Sequence, residues 1–296
     1  ATGFLYKTSA ACMIYADRGI ISSPTKMLKR RLAEEEAAQS AGEAEDFSES
    51  GSSASSLSDL SDDDISGEEV DDAPEVSKPR KHRVMLLGAR GINARHRHLL
   101  DDMHALLPHA RKESKFDPQK TLFELNELAE LNGASHCLYF EHRRPQELFW
   151  WLAATPAGPS ARFHVQSIET LQETGLGGNH MRGTRPLLSF DGAFQELEQG
   201  PVCRRLLEAV FAPPAQGEKR VRPHHDHLIH FAWADDRIWV RNYAIQRSAE
   251  KEEQLEEVGP RLVLHPVVVL AGAFSGQPLW KNPNFRPAAE IRQQAE

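Results

Sequence analysis

The sequence is poor in cysteine. Its three, Cys12, Cys137 and Cys203, lie far apart and form no Cys-x-x-Cys pair. That argues against a disulfide framework and a cysteine-based zinc site, and it fits a reducing compartment. Long apolar runs are missing too. No stretch approaches the roughly 20 residues that a spanning helix needs, so no membrane partner is expected. There is no Gly-x-Gly-x-x-Gly, no Gly-x-x-x-x-Gly-Lys-Ser/Thr, no Gly-x-Ser-x-Gly and no His-Glu-x-x-His. Nothing here supports a hydrolase, a transferase or a nucleotide cofactor, so no catalytic residue and no cofactor are assigned.

Positive charge is absent from one long window. Glu34 to Glu75 holds 16 Asp or Glu and no Lys or Arg. The whole chain is −8, so everything outside the window sums to +8. All 14 histidines also lie outside it, from His82 onward. The remainder is basic enough to favour a polyanion, although net charge says nothing about fold. The window is rich in Ser, Glu and Asp and nearly devoid of aromatics, so it cannot bury enough apolar surface to offset its ordering entropy. Residues 34–79 are therefore expected to be a disordered acidic arm. Such an arm would either compete with a nucleic acid for the basic remainder or contact basic proteins. Ser61 and Ser66 precede acidic runs, a context for an acid-directed kinase as much as for a plain solvated spacer. Residues 1–33 read as a poorly ordered extension, and a short helix is expected from Lys26 to Ala38. Lys7, Asp17 and Arg18 make a poor signal peptide and leave a transit-peptide reading open. Ala1 stands where an initiating Met would, which leaves room for residues upstream.

Folding is expected to begin at Arg83. Val84 to Leu87 reads as a buried strand, Gly88 and Gly91 bracket a turn, and Asn93 caps a helix through Leu107. On that helix Leu99, Leu100, Met103, Leu106 and Leu107 share one face centred on His96, while Arg97 points nearly opposite and Arg95 flanks. Thr121 to Glu124 resembles a capping box opening a helix to about Leu131. Then come a strand at Cys137–Glu141, a helix at Pro145–Ala154 and a strand at Arg162–Ile168. A glycine-rich connector, 173–186, precedes a strand at Leu187–Phe190 and a helix at Cys203–Phe211. Leu228–Trp233 and Arg237–Ile245 form a hairpin turning at Asp235-Asp236. Arg261–Leu270 is an apolar strand whose Pro266 implies a bulge or an edge position. The tail from Gln277 reads as an extended docking segment. This is an α/β pattern. It is organised as two half-domains of similar size, about 83–170 and 186–274.

The cations cluster. Lys78 to Lys112 holds nine Lys or Arg against two Asp, around a strand-to-helix turn where phosphates meet helix amides. Lys78, Arg80, Lys81, Arg83, Arg90, Arg95 and Arg97 are the candidates there for a phosphate backbone, against the alternative of a solvated basic surface. In the connector, Arg182 and Arg185 flank Gly183 and could fork onto phosphate, or simply belong to a flexible linker. Arg237, Trp239, Arg241 and Tyr243 share one strand face, which suits stacked bases or an ordinary half-buried hairpin. Of the run His224-His225-Asp226-His227, only His225 and His227 could share a metal with little strain. No third ligand stands near, so no metal is assigned.

Several segments occur in an order that resembles the Brix-domain family, in its large-subunit assembly branch. They are Arg90-Gly-Ile, Arg95-His-Arg-His-Leu-Leu, Leu107-Pro-His109, Gly183-Thr-Arg-Pro-Leu-Leu-Ser-Phe-Asp191, Asp226-His227, Arg237 to Tyr243 and Gly259-Pro-Arg261. The resemblance covers about residues 80–285. It implies a Brix domain at 80–276, built of two α/β halves similar to anticodon-binding domains, with a tail at 277–296. It also implies a non-catalytic factor that binds precursor and large-subunit rRNA in nucleolar pre-ribosomes, beside ribosomal proteins and other large-subunit assembly factors. Carried over by position, Arg90, Arg95, Arg97, Arg182 and Arg185 are its RNA contacts, while Arg261 is structural or RNA-facing. An enzyme acting on RNA or a nucleotide with His225 and His227 on a metal, and a pure protein-interaction scaffold, are the competing readings.

Overall fold

The computed structural model describes residues 82–117, 121–144, 147–176, 178–214, 222, 224–248 and 251–286. The acidic window, the extension before it, Lys78, Arg80 and Lys81 all lie outside them, as does any short helix at the end of the tail.

The first half begins with β1 (Val84–Gly88), α1 (Ala94–Leu106), β2 (Ala110–Lys112) and α2 (Glu124–Leu131). It continues with β3 (His136–Arg144), β4 (Glu147–Ala154) and β5 (Ser160–Glu169), ending in the one-turn α3 (Leu171–Thr174). The second half holds β6 (Arg185–Phe190), the one-turn α4 (Ala193–Glu196), α5 (Gly200–Phe211) and β7 (His225–Ala234). After it come β8 (Arg237–Ser248), β9 (Lys251–Glu257), β10 (Arg261–Leu270) and β11 (Pro278–Lys281). The eleven strands of the described residues form one sheet. Its main path runs β2-β1-β3-β4-β5-β10-β8-β7-β6, with β9 on β8 and β11 on β10.

The two halves repeat one topology. β1 runs parallel to β3, which is followed by antiparallel β4 and β5. Likewise β6 runs parallel to β7, which is followed by antiparallel β8 and, beside it, β10. A helix supplies each parallel crossover, as the geometry of parallel pairing requires. The halves meet where β5 pairs antiparallel with β10. The core is nonetheless shared. α5, from the second half, packs on β3, β4 and β5 of the first as well as on β6. His82 and His109 of the first half hydrogen-bond the carbonyls of Ala212 and Val210, at 3.1 and 3.0 Å, satisfying acceptors that the end of α5 leaves open.

α1 forms as its periodicity predicts: Asn93 accepts from the His96 amide at 2.8 Å, and His96, Leu99, Leu100, Met103 and Leu106 are buried. A Cβ at Gly88 would come within 2.9 Å of Ile92 Cδ1 and 3.0 Å of Leu100 Cδ1, so a larger residue there would make those two methyl ends shift. The hairpin turns where expected, with Asp235 and Asp236 at φ 53° and 56°, the pair of left-handed residues that a two-residue β-turn demands.

Two expectations are corrected, and of the two positions offered for Pro266 the bulge is the one found. Pro145–Ala154 is not a helix: Glu147–Ala154 is strand β4, and 145–146 lie outside the described residues. Phe149, Trp150, Trp151 and Leu152 are buried in succession, because α5 covers one sheet face there and the opposite face is also packed. A run buried on both sides loses the alternation that marks a half-exposed strand. α2 starts later than the apparent capping box. Thr121 to Phe123 form a tighter lead-in with i to i+3 bonds, and the Thr121 amide and hydroxyl both turn to Glu124 at 3.3 Å. Pro266 is not at an edge. β10 is central, and Pro266 sits at a bulge, beyond Leu264 where β8 pairing stops and before Val268 where β11 begins.

Candidate nucleic-acid interface

The turn ahead of α1 is less open than its glycines imply. The Ala89 amide donates to the Phe140 carbonyl at 2.9 Å and the Arg90 amide to that of Phe116 at 2.7 Å. Those two amides therefore cannot cradle a phosphate. Arg90 is exposed and paired with Asp117 at 3.1 Å. Arg97 is exposed on α1, opposite buried His96, whose ring burial pushes down to about 4, helped by His142 and Arg95. Arg83 is half-buried at the entry to β1, its amide on the Ser135 hydroxyl at 3.3 Å.

Around the join of β5 and β10, arginines from distant segments meet carboxylates. Arg95 bonds Glu173 at 2.8 Å and the Ile168 carbonyl at 2.6 Å, tying α1 to the end of β5. Asp102 accepts from the Leu171 amide at 3.0 Å on the same side. Arg261 is gripped by Glu257 at 2.5 and 2.8 Å and by Glu169 at 3.0 Å. The Glu257 bond comes first in raising its affinity for its proton. Arg241 is buried, 3.6 Å from Glu257, with its guanidinium 5.4 Å from the Trp239 ring. Arg241 and Arg261 are therefore cross-braces between elements, while Arg95 braces α1 to β5 with half of its side chain still in solvent.

The connector crosses the same region. Gly178 lies where a Cβ would meet Val258 at 2.9 Å, and His180 stacks on His227 with ring centres 4.2 Å apart. Asp226 fastens it, accepting from the Met181 amide at 2.7 Å, from the Thr184 hydroxyl and from His227 Nδ1 at 2.7 Å. Burial would raise the Asp226 carboxyl, but the bonds from His227, Thr184 and Met181 override it and hold the group well below the usual carboxylate range. Arg182 is left exposed, while Arg185 donates to the Pro214 carbonyl at 2.8 Å. Arg237 turns to Gln166.

The histidine run does not form the site its spacing suggested. His225 faces the Arg185 carbonyl at 3.0 Å, whereas His180, Asp226 and His227 come together. That trio suits hydrogen bonding better than a metal. Its two rings are within 14° of parallel, so their lone pairs cannot converge on one ion, and the carboxylate already accepts three bonds. Sequence reasoning missed the carboxylates that lock the arginines. Glu173 carried a signal: with Thr170 it forms a true capping box, the signature sought instead at Thr121. It also missed Arg162, held by Glu141 at 2.9 Å and lying 4.0 Å over the Phe149 ring.

The Brix domain profile matches residues 89–268. The chain belongs to the Brix-domain family. Among its relatives, a Xenopus laevis protein named Ribosome biogenesis protein BRX1 homolog is 42% identical over 224 residues. That alignment covers 75% of this chain and 65% of the relative, so the chain spans a little under two thirds of that protein. The Saccharomyces cerevisiae Ribosome biogenesis protein BRX1 is 39% identical over 228 residues, covering 73% of this chain and 78% of the relative. A solved chain described as a probable ribosomal biogenesis protein from Aeropyrum pernix K1 is 17% identical, with TM-score 0.42 over 62% of this chain and 95% of its own. The Brix match runs from the turn ahead of α1 to the bulge in β10, so it contains every described candidate arginine except Arg83.

Proposed function

We propose that this Brix-family chain is a non-catalytic assembly factor of ribosome biogenesis. On this reading it binds precursor and large-subunit rRNA in nucleolar particles, beside ribosomal proteins and other large-subunit assembly factors, through one Brix domain over about residues 80–276. The observation that supports it best is the division among the arginines. Arg241 and Arg261 are largely buried against carboxylates and hold the scaffold, whereas Arg97 and Arg182 project from it exposed and Arg90 and Arg95 reach solvent while paired with Asp117 and Glu173. A rigid base carrying outward guanidinium groups suits a phosphate backbone, with contacts that position rather than read sequence. Lys78, Arg80, Lys81 and Arg83, which precede β1 in sequence, extend the proposed contact set along the chain. The names of the curated relatives support the cellular role. The buried cysteines offer no nucleophile, because burial raises the thiols of Cys137 and Cys203 and keeps both protonated.

Salt dependence tests this. With the full chain and a labelled rRNA fragment, the slope of log affinity against log salt should fall by about 0.7 to 0.9 for each phosphate contact removed in Arg97→Ala and Arg182→Ala. A double variant whose slope equals that of the parent would sink the assignment.

A further inference from the structure

The groove beside α2 has the opposite character to the arginine surface. Phe116, Leu128 and Leu131 line a cavity of about 290 Å³, rimmed by Lys115, Glu124 and Glu127. Leu131 is 86% exposed at its mouth and Phe123, just ahead of α2, is 56% exposed. Holding two such side chains in water forgoes burial that is worth about 1.5–3 kcal/mol for each when complete. α2 itself carries Glu124, Glu127 and Glu130 and not one Lys or Arg, on a domain that is otherwise rich in cations. Arg90, on the other wall, is already paired with Asp117.

We propose that this groove docks a basic segment of a partner protein, which seats one large apolar side chain against Leu128 and Leu131 and a Lys or Arg on Glu127. The charge decides the class of partner. Three glutamates along one short helix repel a phosphate backbone and the chain's own acidic window, and attract a cationic peptide. Leu131, exposed at the groove's mouth, supplies the apolar anchor that a purely electrostatic contact lacks. Neither Arg97 nor Arg182 lines the groove.

The test uses the full chain in cells, with a photocrosslinking amino acid at position 131 and the attached segment sequenced by mass spectrometry. The expected product is a segment of another protein containing several Lys or Arg and at least one large apolar residue. Glu127→Lys should cut its yield about tenfold, the scale of turning one exposed attraction into a repulsion. The RNA salt slope should not change. Attachment to RNA, to the chain's own basic stretch at 26–33, or to an acidic or uncharged segment would overturn the proposal. So would a yield indifferent to Glu127→Lys, or no crosslink at all.

Discussion

His109 is buried, with Nε2 on the Val210 carbonyl at 3.0 Å, and burial followed by the nearby His82 pushes its ring down to about 4. Burial first of all also lowers His96, His136 and His230 to about 4. Above the unfolded value near 6.5, both states are neutral and stability is complete. As pH falls below it the unfolded chain takes protons first, so stability declines until about pH 4, where the folded rings protonate too. At pH 5 this amounts to at most about 2 kcal/mol for His109. Urea midpoints should therefore drop between pH 7 and pH 5, and His109→Gln should flatten part of that drop. Equal midpoints at the two pH values would refute it. Helical periodicity was enough to separate buried His96 from exposed Arg97, because both lie on one regular helix. Periodicity could not show that Arg95 is spent on Glu173, since that partner arrives from 78 residues away.

At the scale of elements, Glu257 on β9 holds two arginines, Arg241 of β8 and Arg261 of β10, while Glu169 braces Arg261 from β5. Glu257 is only 22% exposed, so its removal strands buried Arg241 and leaves Arg261 with Glu169 alone of its two carboxylates. Glu257→Ala should cost about 2 kcal/mol, below the 3–5 of a fully buried pair because water still reaches it. Asp117→Ala, which removes the exposed pair with Arg90, should cost under about 1 kcal/mol. Chemical denaturation of the two variants compares them directly, and a cost for Glu257→Ala no larger than for Asp117→Ala would show that the brace is not structural. Elements with a local signature were legible: the Asn93 cap, the Asp235-Asp236 turn and the bulge at Pro266. β4 was not, because its character comes from α5 and the packing of its opposite face, both distant in sequence.

For the whole molecule, the repeated topology suggests two independent units, and the packing argues against that. α5 grows from the second half yet lies on the strands of the first, and a single cluster of buried side chains runs from Val84 to Phe274. Neither half keeps its packing without the other, since α5 lies on β3, β4 and β5, whose Phe140, Trp150 and Phe163 are fully buried. The β5–β10 join adds a ladder extending from Arg261 paired with Glu169 to Leu270 paired with Ser160. Local opening of one half therefore exposes the core of both, which makes the cheapest route for its central amides the global one. Native-state hydrogen exchange under rising urea should show the slowest amides of β3–β4 and of β7–β8 merging onto one free energy. If either hairpin exchanges through an opening about 2 kcal/mol cheaper than the other, a gap well inside the 5–15 kcal/mol stability of ordinary domains, the halves unfold separately and the shared core is only a contact.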